Sequence, residues 1–220
     1  MFQKLVEAYR RFQRQTYRQF RSLNQRISSS SDGMTKILIG VNLGVWGAWQ
    51  VCNPYFMQKH FMLTDFYTIR QRRYYTTLTY AFSHQSFLHL GFNCLGLWFF
   101  GRTAEFAMGP MGLLSLYMTG ALAGFAGVWW KYRGGKYPRA IPNTLGASAS
   151  TTALFAYFVC QNPYATVYFW FIPMPAYAVA GIVMLFGFMS GDELGGVSHS
   201  GHLGGLIGGG LFHLLSKGRY

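Results

Sequence analysis

The chain has 220 residues, of which 51% are hydrophobic and 19% aromatic, and only 11% are charged, against roughly a quarter in soluble domains. Its 19 Lys and Arg outnumber 6 Asp and Glu, giving a net charge of +13. A soluble bundle with so few charges could not cover its surface, so the composition excludes that class and points to an all-α integral membrane protein.

Residues 1–33 form a basic extension. Lys4, Arg10, Arg11, Arg14, Arg18, Arg21 and Arg26 stand against Glu7 and Asp32, and a serine linker follows at Ser28–Ser31. The segment reads as a partly amphipathic helix, with the Arg-rich, acid-poor composition of a mitochondrial transit peptide. Two roles fit it: a surface helix drawn to anionic lipid, or an arm that docks a larger membrane complex.

Six apolar runs of spanning length follow, at 34–52, 84–104, 109–131, 144–161, 166–188 and 199–215. Together they make a six-helix membrane domain over 34–215, ahead of a short basic tail at 216–220. Six spans leave no soluble domain to read nucleic acid. Counting Lys and Arg in alternate loops gives eleven on the side of the termini and eight on the other, a small bias toward termini on the more positive side. Cys52, Cys94 and Cys160 lack paired spacing and read as small packing residues, neither disulfides nor metal ligands. No metal or cofactor is expected.

Polar side chains inside apolar spans are costly and mark function. In the second span, SHQSFLHLGFN supplies His84, His89 and Asn93, with His89 and Asn93 four apart on one face. The fourth opens with GASAS, carrying Ser148 and Ser150, and the sixth with SHSGHLGG, carrying His199 and His202. These three spans run in the same direction, so His89, Ser148 and His202 are expected one to two turns inside their starts, under one face. That constellation suits nucleophilic acyl transfer. Ser148 would be the nucleophile and His202 its base. Asn93, His89 and the Ser148 backbone N–H would donate to the oxyanion. No acidic residue lies within these spans, so a Ser–His dyad is expected rather than a triad.

Contact between histidine and serine on separate helices needs close backbones, which small residues permit. Gly205 and Gly209 fall on the His202 face, while Gly146, Ala147 and Ala149 offer the matching surface beside Ser148. Ser150 lies about 200° around the helix from Ser148, so only one serine can face His202. His199 and His84 read as interfacial or capping groups, and Tyr117 with Gly120 and Gly124 as a packing stripe on the third span.

At these residues the chain resembles the rhomboid family of intramembrane serine proteases. The family motifs H-x-x-x-N, G-x-S-x and H-x-x-G-x-x-x-G read here as His89 to Asn93, Gly146 to Ala149, and His202 through Gly205 to Gly209. FSHQSFLHLGFN, LYMTGALAG, TLGASA, IPMP and HSGHLGG resemble the mitochondrial, presenilin-associated rhomboid-like branch in particular. The resemblance covers about residues 34–215. It implies a six-transmembrane-helix rhomboid-like bundle in the mitochondrial inner membrane (alternatively another cellular membrane). Cleavage of single-span membrane proteins without metal or cofactor is implied, with Ser148 as nucleophile, His202 as base and His89 and Asn93 at the oxyanion. Some members carry a further N-terminal span, for which the 33 residues before the first span leave no room. Ala149 replaces the glycine common after the nucleophile, Ser198 the acidic residue often four before the histidine, and Arg139–Thr144 is longer than usual. The competing expectation is a non-proteolytic rhomboid fold serving as a structural or assembly subunit.

Overall fold

A computed structural model describes residues 32–135, 138–169, 171–189 and 198–216. Nearly all of the basic extension at 1–33 and the tail at 216–220 lie outside them. The described chain is helical: α1 (Gly33–Val51), α2 (Pro54–Phe61), α3 (Thr76–Thr79), α4 (Phe87–Gly96), α5 (Arg102–Arg133), α6 (Ser148–Gln161), α7 (Ala176–Met189) and α8 (His199–Ser216). A π-turn at Leu97–Gly101 joins α4 to α5. One helical run among the described residues, Phe87–Arg133, is long and apolar enough to cross a bilayer by length and composition. It is two helices meeting at Gly109, whose φ of 73° and ψ of 172° break the ladder. The local reason is Pro110, which disfavours helical backbone in the residue before it, and glycine tolerates the positive φ that results.

The run at 166–188, expected to be a single span, is instead a hairpin followed by a helix. Strand β1 (Thr166–Phe169) pairs antiparallel with β2 (Ile172–Pro175), Thr166 opposite Pro175 and Phe169 opposite Ile172, and α7 begins only at Ala176. Pro173 and Pro175 lack the N–H that a helix interior requires, and the β-branched and aromatic TVYF favours an extended chain. The all-α expectation therefore holds except for this two-stranded ribbon.

At the centre, α5, α6 and α8 pack backbone to backbone. A Cβ on Gly120 would stand 2.7 Å from the Ser150 Cα, and one on Gly124 would collide with the Ala149 methyl, as the expected stripe on this helix requires. Helix α8 uses two glycine faces. Cβ atoms on Gly205 and Gly209 would overlap the carbonyl oxygens of Ala149 and Ala153 on α6, and one on Gly204 would overlap that of Ala123 on α5. The second face, Gly204 with Gly208, has a small-x-x-x-small spacing. Tyr117, fully buried, donates through its hydroxyl to the Ala81 carbonyl at 2.7 Å and accepts from the Asn42 amide of α1 at 3.3 Å. Such pairing is what permits polar atoms in an apolar core. Cys52 and Cys160 are exposed and Cys94 half-buried.

The loop between α1 and α4 is stitched to the segment that precedes α6. Leu63 and Thr144 exchange N–H···O bonds at 2.9 Å in both directions. Asp65 pairs with Arg70 at 3.0 Å and with Arg133 at the end of α5, and accepts the Ile141 N–H at 3.3 Å. The segment Arg139–Thr144 thus ties the two loops together.

Candidate active site

Four side chains singled out from the sequence converge. His89 is the third residue of α4, Ser148 the first of α6 and His202 the fourth of α8. All three line one cavity of about 950 Å³, together with Asn93 and Thr151. They sit in the first turns of their helices, nearer the ends than the expected one to two turns. The chain ahead of α6 is not helical: Gly146 has φ +128°, so the helix begins at Ser148 instead of at 144. That start leaves the first-turn N–H groups of α6 without intrahelical acceptors.

Gly146 does not pack against α8, as its grouping with Gly205 and Gly209 had suggested. A Cβ there would lie 2.6 Å from the His89 ring. Its absence lets the loop seat the imidazole, and the positive φ is one that only glycine adopts cheaply. The Gly146 N–H donates to the Tyr80 carbonyl at 3.0 Å, and the Tyr80 hydroxyl donates to the Ala121 carbonyl at 2.8 Å. The turn before the serine is therefore anchored to α5.

His84, expected at an interface or cap, is completely buried. Its Nε2 accepts the N–H of Ala147 at 3.2 Å, and its ring meets His89 edge-on with centroids 5.0 Å apart. Its bond goes to the residue just before α6, so it supports the turn into that helix. His199 lies one turn before His202, ring centroids 6.3 Å apart.

Ser148 and Ser150 face opposite ways. Ser150 is buried and donates to the Tyr117 carbonyl at 2.8 Å, whereas Ser148 borders the cavity. Asn93 is held at Nδ2, which donates to the His89 carbonyl at 2.8 Å, and its Oδ1 shares the Thr151 hydroxyl proton with the Ser148 carbonyl, each at 3.1 Å. The second amide hydrogen remains for a further acceptor. Thr151 was not singled out from the sequence, although its position three after Ser148 puts it on the same face.

The departures noted in the sequence have local explanations. The Ala149 methyl sits over Gly124, which has none, so the extra carbon is accommodated by the facing helix. Ser198 accepts the Gly201 N–H at 3.2 Å and so caps α8 in place of an acidic residue. Among the described residues, no three His, Cys, Asp or Glu gather as metal ligands.

Comparison with known proteins matches a family model, the Rhomboid domain, to residues 71–218. The chain is 32% identical over 184 residues to Rhomboid protein 1, mitochondrial, of Saccharomyces cerevisiae, covering 80% of this chain and 51% of that protein. It is 34% identical over 189 residues to RHOMBOID-like protein 12, mitochondrial, of Arabidopsis thaliana, covering 76% and 54%. Rhomboid-like protein 16, chloroplastic, of Arabidopsis thaliana is 35% identical over 98 residues, 44% of this chain and 30% of that one. The chain spans about half the length of the two mitochondrial relatives. The matched region contains α4 through α8 with His89, Asn93, Ser148, Thr151 and His202, and on this combined ground the chain belongs to the rhomboid family.

Proposed function

We propose that this protein is an intramembrane serine endopeptidase that cleaves single-span membrane proteins in or beside their transmembrane segment. The observation that carries the reading is the meeting of Ser148, His202, His89 and Asn93, from three separate helices, around one cavity.

In the proposed reaction the Ser148 hydroxyl attacks the scissile carbonyl carbon while His202 takes its proton. Negative charge develops on the carbonyl oxygen, where the Asn93 amide, the His89 ring and the Ser148 N–H donate. Collapse breaks the C–N bond, and the imidazolium returns the proton to the leaving amine. Water, activated by the same histidine, then hydrolyses the acyl-serine. Donors of this kind act most strongly where bulk water is excluded.

We assign six membrane spans: α1, the two helices on either side of Gly109, α6, α7 and α8. A helix of 14 residues such as α6 rises roughly 21 Å against a hydrocarbon core of about 30 Å. Its first residue, Ser148, would lie below the membrane surface, in a hollow that water enters from one side. Hydrolysis inside a membrane needs such a hollow. The names of the mitochondrial relatives and the basic extension support a place in the mitochondrial inner membrane, with both termini on the more positive side.

The test is labelling with a fluorophosphonate, which captures an activated serine, in native membranes and in purified full-length protein. Labelling of wild type that is lost in Ser148→Ala supports the reading. Absence of labelling and of cleavage in folded wild type would instead favour the non-proteolytic assembly role.

A further inference from the structure

Asp65 is the one carboxylate among the described residues that joins the loop after α1 to the chain leading into the candidate nucleophile. It is buried, 8% exposed, and 83 residues upstream of Ser148. Its Oδ2 accepts from Arg70 at 3.0 Å, and its Oδ1 accepts from Arg133 and from the Ile141 N–H. Arg133 ends α5, with its guanidinium 5.9 Å from the Trp129 ring centroid. Three segments therefore meet on a single side chain: the first loop, the end of α5 and the start of 140–147.

Downstream of Ile141 the chain runs without slack to the serine. Thr144 is bonded in both directions to Leu63, two residues from Asp65. Gly146 is bonded to Tyr80 and seated on His89, and Ala147 is bonded to His84. Apart from His89 in the first turn of α4, these anchors belong to the loop after α1 or to the residues just before α4. Asp65 is the point where that whole surface is held to α5 by charge.

We infer that Asp65 is a positioning residue for the Ser148 site, acting through Arg133 and the Ile141 N–H to fix the turn on which α6 begins. This rests on the proteolytic reading above. Asparagine is nearly isosteric and can still accept the Ile141 N–H, but it carries no charge to hold Arg133 and Arg70. A serine that drifts by about 1 Å can lose roughly 10²-fold in rate, and the remaining anchors limit that drift. Asp65→Asn should therefore lower kcat about tenfold, with a smaller rise in KM beside it, since residues 142–146 also line the cavity.

The experiment compares wild type, Asp65→Asn, Arg133→Gln and the double variant in full-length protein reconstituted in lipid vesicles. It reads kcat and KM on a single-span substrate, the rate of fluorophosphonate labelling, the unfolding temperature and backbone hydrogen exchange over 141–147. The expected result is a fall in kcat and labelling rate at temperatures where each variant is fully folded. The double variant should be no worse than Asp65→Asn alone, since both break one link. Wild-type kcat in folded Asp65→Asn, additive losses in the double variant, or a fall in KM-determined affinity alone would overturn the inference. If wild type neither cleaves nor labels, the proteolytic reading is what has failed. Hydrogen exchange then decides the positioning claim separately: faster exchange over 141–147 in Asp65→Asn supports it, and unchanged exchange overturns it.

Discussion

The carbonyl oxygen of Ala149 occupies the space where a Cβ on Gly205 would stand. Ala149 directly follows Ser148, and Gly205 lies three residues after His202, so this contact sets how closely the two helices bring nucleophile and base. Any side chain at 205 must push α8 away from α6.

Gly205→Ala should lose at least about 10²-fold in cleavage, a loss typical of an ångström of misplacement, and also lower the unfolding temperature. Gly210→Ala is the matched control, because a Cβ there meets nothing within 4 Å and alanine favours helix by about 1 kcal/mol. Normal cleavage by Gly205→Ala would show that the approach of these helices does not govern activity.

The two serines of GASAS separate chemistry from packing. Ser148→Ala should abolish fluorophosphonate labelling and cleavage with little change in unfolding. Ser150→Ala removes its hydrogen bond to the Tyr117 carbonyl, worth about 0.5–1.5 kcal/mol net, so it should lower stability while both activities survive. Labelling that follows Ser150 instead would reassign the nucleophile.

At the oxyanion, Asn93→Ala should reduce turnover by about 10²–10³. Thr151→Val tests the support behind it. Losing one neutral hydrogen bond to the Asn93 Oδ1 frees the amide to turn, and a cost near 1 kcal/mol corresponds to roughly a fivefold loss. Equal kcat in wild type and Thr151→Val would mean that the amide is held by the His89 carbonyl alone.

Much of this arrangement could be read from the sequence because it rests on helix periodicity. Ser148 against Ser150, His89 with Asn93, and Gly205 with Gly209 are all statements about turns of a helix, and 3.6 residues per turn is a local property. What the sequence leaves out are contacts that no local pattern encodes: His84 accepts the Ala147 N–H across 63 residues, and Asp65 accepts the Ile141 N–H across 76. The run at 166–188 looked like one span because TVYF and IPMP are apolar whether extended or helical, so hydropathy alone could not separate them. Gly146 was grouped with helix contacts because its φ of +128° leaves no trace in a spacing.

Acid stability should depend on Asp65. Burial raises its carboxyl, but hydrogen bonds from Arg133, Arg70 and the Ile141 N–H outweigh burial and hold it below the ordinary 3.8. A carboxyl lowered on folding contributes stability that is fully present above the unfolded value and is lost as pH falls through the folded value. Unfolding temperature should therefore drop as pH falls below about 4, and less steeply in Asp65→Asn. Asp32, held down by its hydrogen bond to Lys36, adds a contribution of the same sign, so some slope should persist. An identical acid profile in both proteins would contradict this account.

Glu105 extends the fold's boundary upstream. Its carboxylate, 4% exposed, accepts the N–H groups of Met34 and Thr35 at 2.8 and 2.9 Å and the Thr35 hydroxyl at 2.7 Å. It thus closes the open end of α1 from within α5. Met34 and Thr35 precede the family-matched region at 71–218, whereas Glu105 lies inside it. Cutting the chain to the matched region would remove all three donors to the Glu105 side chain, each hydrogen bond contributing on the order of 1 kcal/mol. The cooperative unit is therefore larger than the segment the family model matches: α1 and its following loop are part of what folds, and substitutions there can silence a site they never touch.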